Sequence, residues 1–282
     1  MDKKLTAQGP KGRKSYTVTL PLDWVKAQKL DLRKLAQLEV IGNKIVISAE
    51  KQTIERETVD LNILEKTPAK VLQALYRRGV TQMKILYKHP KQVQQVMGIV
   101  NTKLIGCEVI EQSKGYLIIK DITQEVSEDF ETILRRVFLL ILELMVSKER
   151  EQVEGIEDSI QKLVNYCLRT LVKRGHLDYQ RIPFYFLLLD RLEKISDEFS
   201  WVLKQSESQE GLKEIQHCMR KAYELYYRFD PADFDTYAYK TYQMMNAIRQ
   251  KNKLTVFDMH VHNLARQLNT IYSTILALRY NG

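Results

Sequence analysis

Asp190, Glu193 and Asp197 stand at i, i+3 and i+7 of a helical stretch reading LDRLEKISD, so three carboxylates stack along one side of a helix. Upstream, Glu154, Glu157 and Gln161 form a similar stripe on another helical stretch. If two such helices pack side by side, their oxygens converge on a hard cation, the chemistry of a divalent or ferric site. The same acids also read as a solvated face paired with Arg191 and Lys194 on nearby turns. The other end of the chain carries cationic chemistry. Lys3, Lys4, Lys11, Arg13 and Lys14, followed by Ser15, lie on an arm broken by Gly9 and Gly12. Such an arm can follow a phosphate backbone and release counterions, which gives affinity with little sequence information. Catalysis finds no support, because no Ser/His/Asp or Cys/His set and no nucleotide-binding glycine loop occurs in a recognisable context. His260 and His262 are i, i+2 and point to different sides of a helix, and Cys107, Cys167 and Cys218 form no close pair.

Charge divided by position supports a polyanion contact at one end. Lys and Arg number 11 against 5 acids over residues 1–52, 11 against 8 over 53–125, and 22 against 22 over 126–282. The whole excess of +9 therefore sits in the first 125 residues. The longest apolar run, Val137 to Val146, contains Glu143 and is half of the roughly 20 residues a membrane-spanning helix needs. No secretory signal pattern opens the sequence and the cysteines are unpaired by spacing, so a cytoplasmic protein without membrane insertion is expected.

The elements that must position these groups fall into three segments, a multidomain α+β plan. Over 1–52, Tyr16, Val18 and Leu20 alternate with polar residues in a strand that Pro21 stops. A short helix from Asp23 to Lys29, a strand from Leu38 to Ile41, a Gly42-Asn43 turn and a strand from Ile45 to Ser48 follow. A unit of this size is marginal alone, and dimerisation is the expected remedy. Residues 53–125 read β-α-β-α-β-β, with Pro68 and Pro90 opening the helices and Gly79 and Gly106 closing them. From 126 to 282 apolar residues recur at three and four through six helices, broken at Gly175 and at Asp230-Pro231. Two three-helix units stacked lengthwise are predicted.

The stretch KGRKSYTVTLPLDWVKAQKL, with the later Gly-Asn turn and IVIS strand, resembles the AbrB/SpoVT swapped-hairpin domain. That resemblance implies a dimer formed by exchanged hairpins that binds double-stranded DNA through Lys11, Arg13, Lys14 and Ser15, with Lys3 and Lys4 as supporting phosphate contacts. The connector Leu32 to Gln37 departs from the family, where many members have a Gly-Asp turn. Further on, DRLEKISDEFSWVL is similar to the LERIGDHAxNI signature of PhoU phosphate-regulation proteins, whose plan has six helices in two repeats. Glu193 and Asp197 fall on that family's E-x-x-x-D metal motif, and Glu157 and Asp190 join them as candidate ligands. Gln161, Asn269 and Ser273 stand where acids are usual, so a single weakly held divalent or ferric cation is implied rather than a cluster.

Head, middle and body together resemble archaeal PhoU-type regulators with an N-terminal hairpin domain. The implied protein is a homodimeric, non-enzymatic, DNA-binding transcriptional regulator of phosphate uptake, whose helical body senses an ion or a partner. The rival is an adaptor that docks its helical body on a transporter ATPase or sensor protein and uses the head for dimerisation alone.

Overall fold

The computed structural model describes residues 3–10, 14–41, 44–48, 55–123, 129–147, 149–174, 178–205 and 212–280. The chain forms two compact units, 1–53 and 54–282.

In the first unit, β1 (Thr6–Gln8) pairs antiparallel with β2 (Ser15–Thr17), so that Thr6 faces Thr17 and Gln8 faces Ser15. α1 (Leu22–Ala27) follows Pro21, and α2 (Leu30–Arg33) ends on Lys34 in the left-handed region at φ 53°. β3 (Gln37–Ile41) and β4 (Lys44–Ser48) form a second antiparallel pair. The Gly42-Asn43 turn between them lies outside the described residues. β1 and α2 were not expected, because Thr6-Ala7-Gln8 shows no apolar alternation and four residues are too few for a helical period. The strand anticipated from Ser15 to Leu20 ends at Thr17, since its three-residue partner offers no further ladder. Leu30 is the one buried hydrophobic side chain described here, whereas Tyr16, Val18, Leu22, Leu38, Val40 and Ile45 are exposed. Among its described residues this unit shows apolar faces and no core of its own.

The second unit opens with a four-stranded sheet of order β5-β6-β8-β7, built from β5 (Arg56–Asp60), β6 (Gln82–Leu86), β7 (Cys107–Ser113) and β8 (Tyr116–Asp121). β5 and β6 run parallel, and β8 runs antiparallel to both β6 and β7. α3 (Pro68–Arg77) makes the parallel crossover, and α4 (Pro90–Lys103) joins β6 to β7. Met83, Ile85, Leu117 and Ile119 are buried with Leu72, Tyr76, Val96 and Val100 of the helices. Lys84 and Lys120, one residue out of phase, are exposed, the alternation of a sheet covered on one face.

Six helices follow: α5 (Phe130–Leu144), α6 (Arg150–Arg174), α7 (Ile182–Gln205), α8 (Lys213–Tyr227), α9 (Pro231–Arg249) and α10 (Val256–Arg279). α5, α6 and α7 pack together, α10 packs on α8 and α9, and α7 against α10 is the principal seam. All six contribute to one hydrophobic cluster, distinct from the cluster under the sheet. Asp230 caps α9 by accepting from the Ala232 and Asp233 amides at 2.9 Å, which is why the chain reverses at Asp230-Pro231. Among the described residues no helix is long and apolar enough to cross a membrane.

Candidate functional site

Glu193, which the sequence places in a row of acids open to a solvated reading, is buried by the fold to 5% exposure. Its Oε1 accepts from Arg77 Nη2 at 2.7 Å and from Gln161 Nε2 at 3.4 Å. Arg77 stands in the last turn of α3, and its Nε donates to Asn165 Oδ1 on α6 at 2.6 Å. Asn165 in turn donates to Gln73 Oε1 and to the Lys103 carbonyl, each at 3.1 Å. One guanidinium and one amide thus tie α3, α4, α6 and α7 together.

Further along the same seam, Glu157 accepts from Ser200 Oγ and from Lys204 Nζ, the latter at 3.0 Å. Lys103 of α4 pairs with Asp158. Burial raises the Asp197 carboxyl above its ordinary range, and the charges of Glu193 and Glu157 add to the rise against Lys194 and Lys103. Asp197 is nevertheless half-exposed and lies 3.8 Å from Lys194, while Asp190 lies 3.7 Å from Arg191 at the surface. The two acidic stripes do approach each other, but protein cations stand among them. Glu193 and Glu157 are committed to internal donors, and among the described residues no three His, Cys, Asp or Glu side chains group as a metal site. This donor set does not fit a resident divalent or ferric cation.

A second charged pair lies about three turns beyond Glu157 along α6. Arg169 is 4% exposed; its Nη1 donates to the Tyr76 carbonyl and its Nη2 to Asp121 Oδ2, both at 2.6 Å. The guanidinium also lies over the Tyr76 ring at 4.6 Å, and Lys173 Nζ reaches Asp121 at 3.2 Å. Burial pushes the Asp121 carboxyl up, but hydrogen bonds from Thr123 and Arg169 and the charges of Arg169 and Lys173 outweigh it, leaving the carboxyl below its ordinary range. Chemically, this polar layer is a strap between two hydrophobic clusters. Arg77, Asn165, Arg169 and Asp121 were not foreseen from the sequence. The tandem Arg77-Arg78 before Gly79 marks a helix end, and nothing local distinguishes the arginine that turns inward.

Comparison with protein-family models, with curated proteins and with solved structures finds no match to this chain.

The cationic candidates lie in the first unit. Lys3, Lys4 and Lys14 are exposed, flanking the β1–β2 pair, and Ser15 begins β2 with its hydroxyl donating to the Gln8 carbonyl at 3.3 Å. Lys11 and Arg13 lie outside the described residues. Ser15 therefore serves the hairpin ladder, and the three lysines stand free of ion pairs among the described residues. Of the two histidines read from the sequence, His260 bonds Glu198 at 2.5 Å and stacks on Trp201, whereas His262 meets Arg249 at 3.2 Å, so they do point to different sides of α10.

Proposed function

We propose that the protein is a homodimeric DNA-binding regulator that contacts the duplex through residues 1–52, with the likeness to AbrB/SpoVT and PhoU proteins directing its control toward phosphate uptake. The observation that carries this reading is the combination, in one small unit, of exposed Lys3, Lys4 and Lys14 around a short antiparallel pair with exposed apolar side chains on every other element. Exposed cations suit a phosphate backbone, and uncovered Tyr16, Leu38, Val40 and Ile45 suit a second copy of the same unit. The neutral helical body, with its own large core, suits a sensing or partner-binding part.

Anisotropy of labelled duplex DNA against salt concentration tests it. The full chain is expected to bind with a steep salt dependence, and replacing Lys11, Arg13 and Lys14 by alanine is expected to reduce the slope of log K by about 2 to 3, near 0.9 for each lost phosphate contact. Unchanged binding by a chain lacking residues 1–52 would sink the reading and favour the adaptor.

A further inference from the structure

The turn that leaves β5 carries apolar side chains outward. The Asp60 carbonyl accepts the Ile63 amide at 3.2 Å and the Leu64 amide at 3.1 Å, and Asp60 Oδ1 accepts the Asn62 amide at 2.8 Å, so residues 60–64 form a tight, internally bonded turn. Leu61 is 1% exposed and anchors this turn in the cluster under the sheet. Two residues on, Ile63 is 81% exposed, more than any other large hydrophobic side chain described in the second unit, and Leu64 beside it is 39% exposed.

The same end of the sheet is basic. In the strand register Asp60 stands opposite Leu86, Leu86 opposite Tyr116, and Tyr116 opposite Ser113. The Leu61 amide donates to the Leu86 carbonyl at 3.0 Å, Gln92 Nε2 donates to the Leu61 carbonyl at 3.2 Å, and the Tyr87 amide donates to the Gly115 carbonyl at 3.0 Å. The apolar turn, the start of α4 and the β7–β8 turn are thereby held side by side. Residues 60–70, 87–91 and 113–115 contain five lysines, Lys66, Lys70, Lys88, Lys91 and Lys114, against two acids, Asp60 and Glu65. All five lysines are exposed, and none forms an ion pair among the described residues. Neither α3 nor α4, which both begin here, carries an acid in its first turn, and Asp60 is already engaged by Asn62.

Shape and charge together select the occupant. A tight turn that carries its apolar side chains outward offers no groove for a peptide, and a phosphodiester backbone would use the lysines while leaving Ile63 and Leu64 in water. An anionic bilayer answers both features, with a negative surface over an apolar interior that needs no matching cavity. We propose that this end of the sheet docks on an anionic phospholipid surface, Ile63 and Leu64 entering the boundary between headgroups and acyl chains and the lysines meeting lipid phosphates. The contact is peripheral, since no helix among the described residues is long and apolar enough to cross a membrane. It lies wholly within residues 54–282 and is independent of the DNA reading.

Co-sedimentation with vesicles of phosphatidylcholine alone, and of equal parts phosphatidylcholine and phosphatidylglycerol, tests the assignment. The full chain is used with Lys11, Arg13 and Lys14 replaced by alanine, which removes the attraction of the basic arm for anions and keeps the test separate from the DNA reading. Partitioning to the anionic vesicles is expected to exceed that to the neutral ones at least about tenfold and to fall as salt rises. In that background Ile63→Ser is expected to weaken partitioning at least about fivefold through lost apolar insertion, and replacing Lys88, Lys91 and Lys114 by glutamine to weaken it at least about tenfold. These side chains are exposed, so each variant is expected to melt with its parent. Absence of partitioning, equal partitioning to both vesicles, or partitioning untouched by Ile63→Ser would overturn the proposal. Loss of duplex DNA binding on the three glutamine replacements in the otherwise unaltered chain, with vesicle binding unchanged, would assign the lysines to nucleic acid instead.

Discussion

Arg169 keeps a charge in a setting where isolated charges are costly, because a buried ion needs both a counter-ion and hydrogen-bond acceptors for its remaining protons. Asp121 and the Tyr76 carbonyl supply both. Replacing it with methionine leaves Asp121 buried without the closer of its two cations, and urea unfolding is expected to report a loss of about 3 to 5 kcal/mol. Two of the shifted aspartates, Asp121 and Asp197, predict opposite responses to acid. Asp121 is held below its ordinary 3.8, so its contribution is fully present above that value and is lost as the pH falls through its lower folded value. Asp197 is raised above 3.8, so its charge is a cost to the fold above the raised value, relieved as the pH falls. Asp197→Asn is therefore expected to raise stability at neutral pH, by less than about 1 kcal/mol given its half-exposure, with the gain shrinking as the pH falls. Thermal melts at a series of pH values check both signs. The acidic stripes themselves were legible, since periodicity alone places Glu193 and Asp197 on neighbouring turns. That Glu193 faces Arg77 was not legible, because the partner lies 116 residues away in sequence and no local pattern links them.

At the scale of elements, punctuation residues act as their chemistry predicts. Pro68, Pro90 and Pro231 each occupy the first turn of a helix, where a missing amide proton costs nothing. Gly79 and Gly106 follow helix ends with φ of 98° and 76°. Gly106 is the more constrained of the two, since a Cβ there would collide with the Thr123 side chain, and the Gly106 carbonyl accepts the Ile122 amide at 2.8 Å. Gly106→Ala is expected to lower stability by at least about 1 to 2 kcal/mol, the cost of a left-handed residue with a side chain before any steric adjustment. Chemical denaturation of the variant measures it. Docking of α3 on the helical body depends on Arg77, so Arg77→Met is expected to reduce amide protection in α3 and α6. Adding Glu193→Gln should restore part of that protection, because the orphaned carboxylate is then removed as well. Hydrogen exchange on the single and double variants distinguishes this from general unfolding. β1 and α2 escaped the sequence reading for a related reason. A three-residue strand exists through its pairing with Ser15–Thr17, and a four-residue helix has no period to display.

For the whole molecule, the division into units 1–53 and 54–282 separates two kinds of stability. The second unit holds both extensive hydrophobic clusters, so a chain beginning at residue 54 is expected to unfold cooperatively with a melting temperature within a few degrees of the full chain. Sedimentation should find the full chain dimeric and report loss of that dimer on removing the first unit, and a dimer that survives would place self-association in the helical body instead. Composition and periodicity by themselves determined the mixed α and β content, the order of strands and helices from residue 55 onward, the concentration of positive charge at the start, and the six-helix run at the end. Those properties follow from local spacing, where side-chain direction repeats every two or every 3.6 residues. The tertiary structure alone decided that Arg77 and Arg169 turn inward, that Glu193 is buried against a guanidinium, and that Glu131, Arg279 and four aromatic rings meet around a cavity. Each of these depends on which helices become neighbours across long stretches of chain, and charge, size and burial acquire meaning only once the packing has chosen the partner.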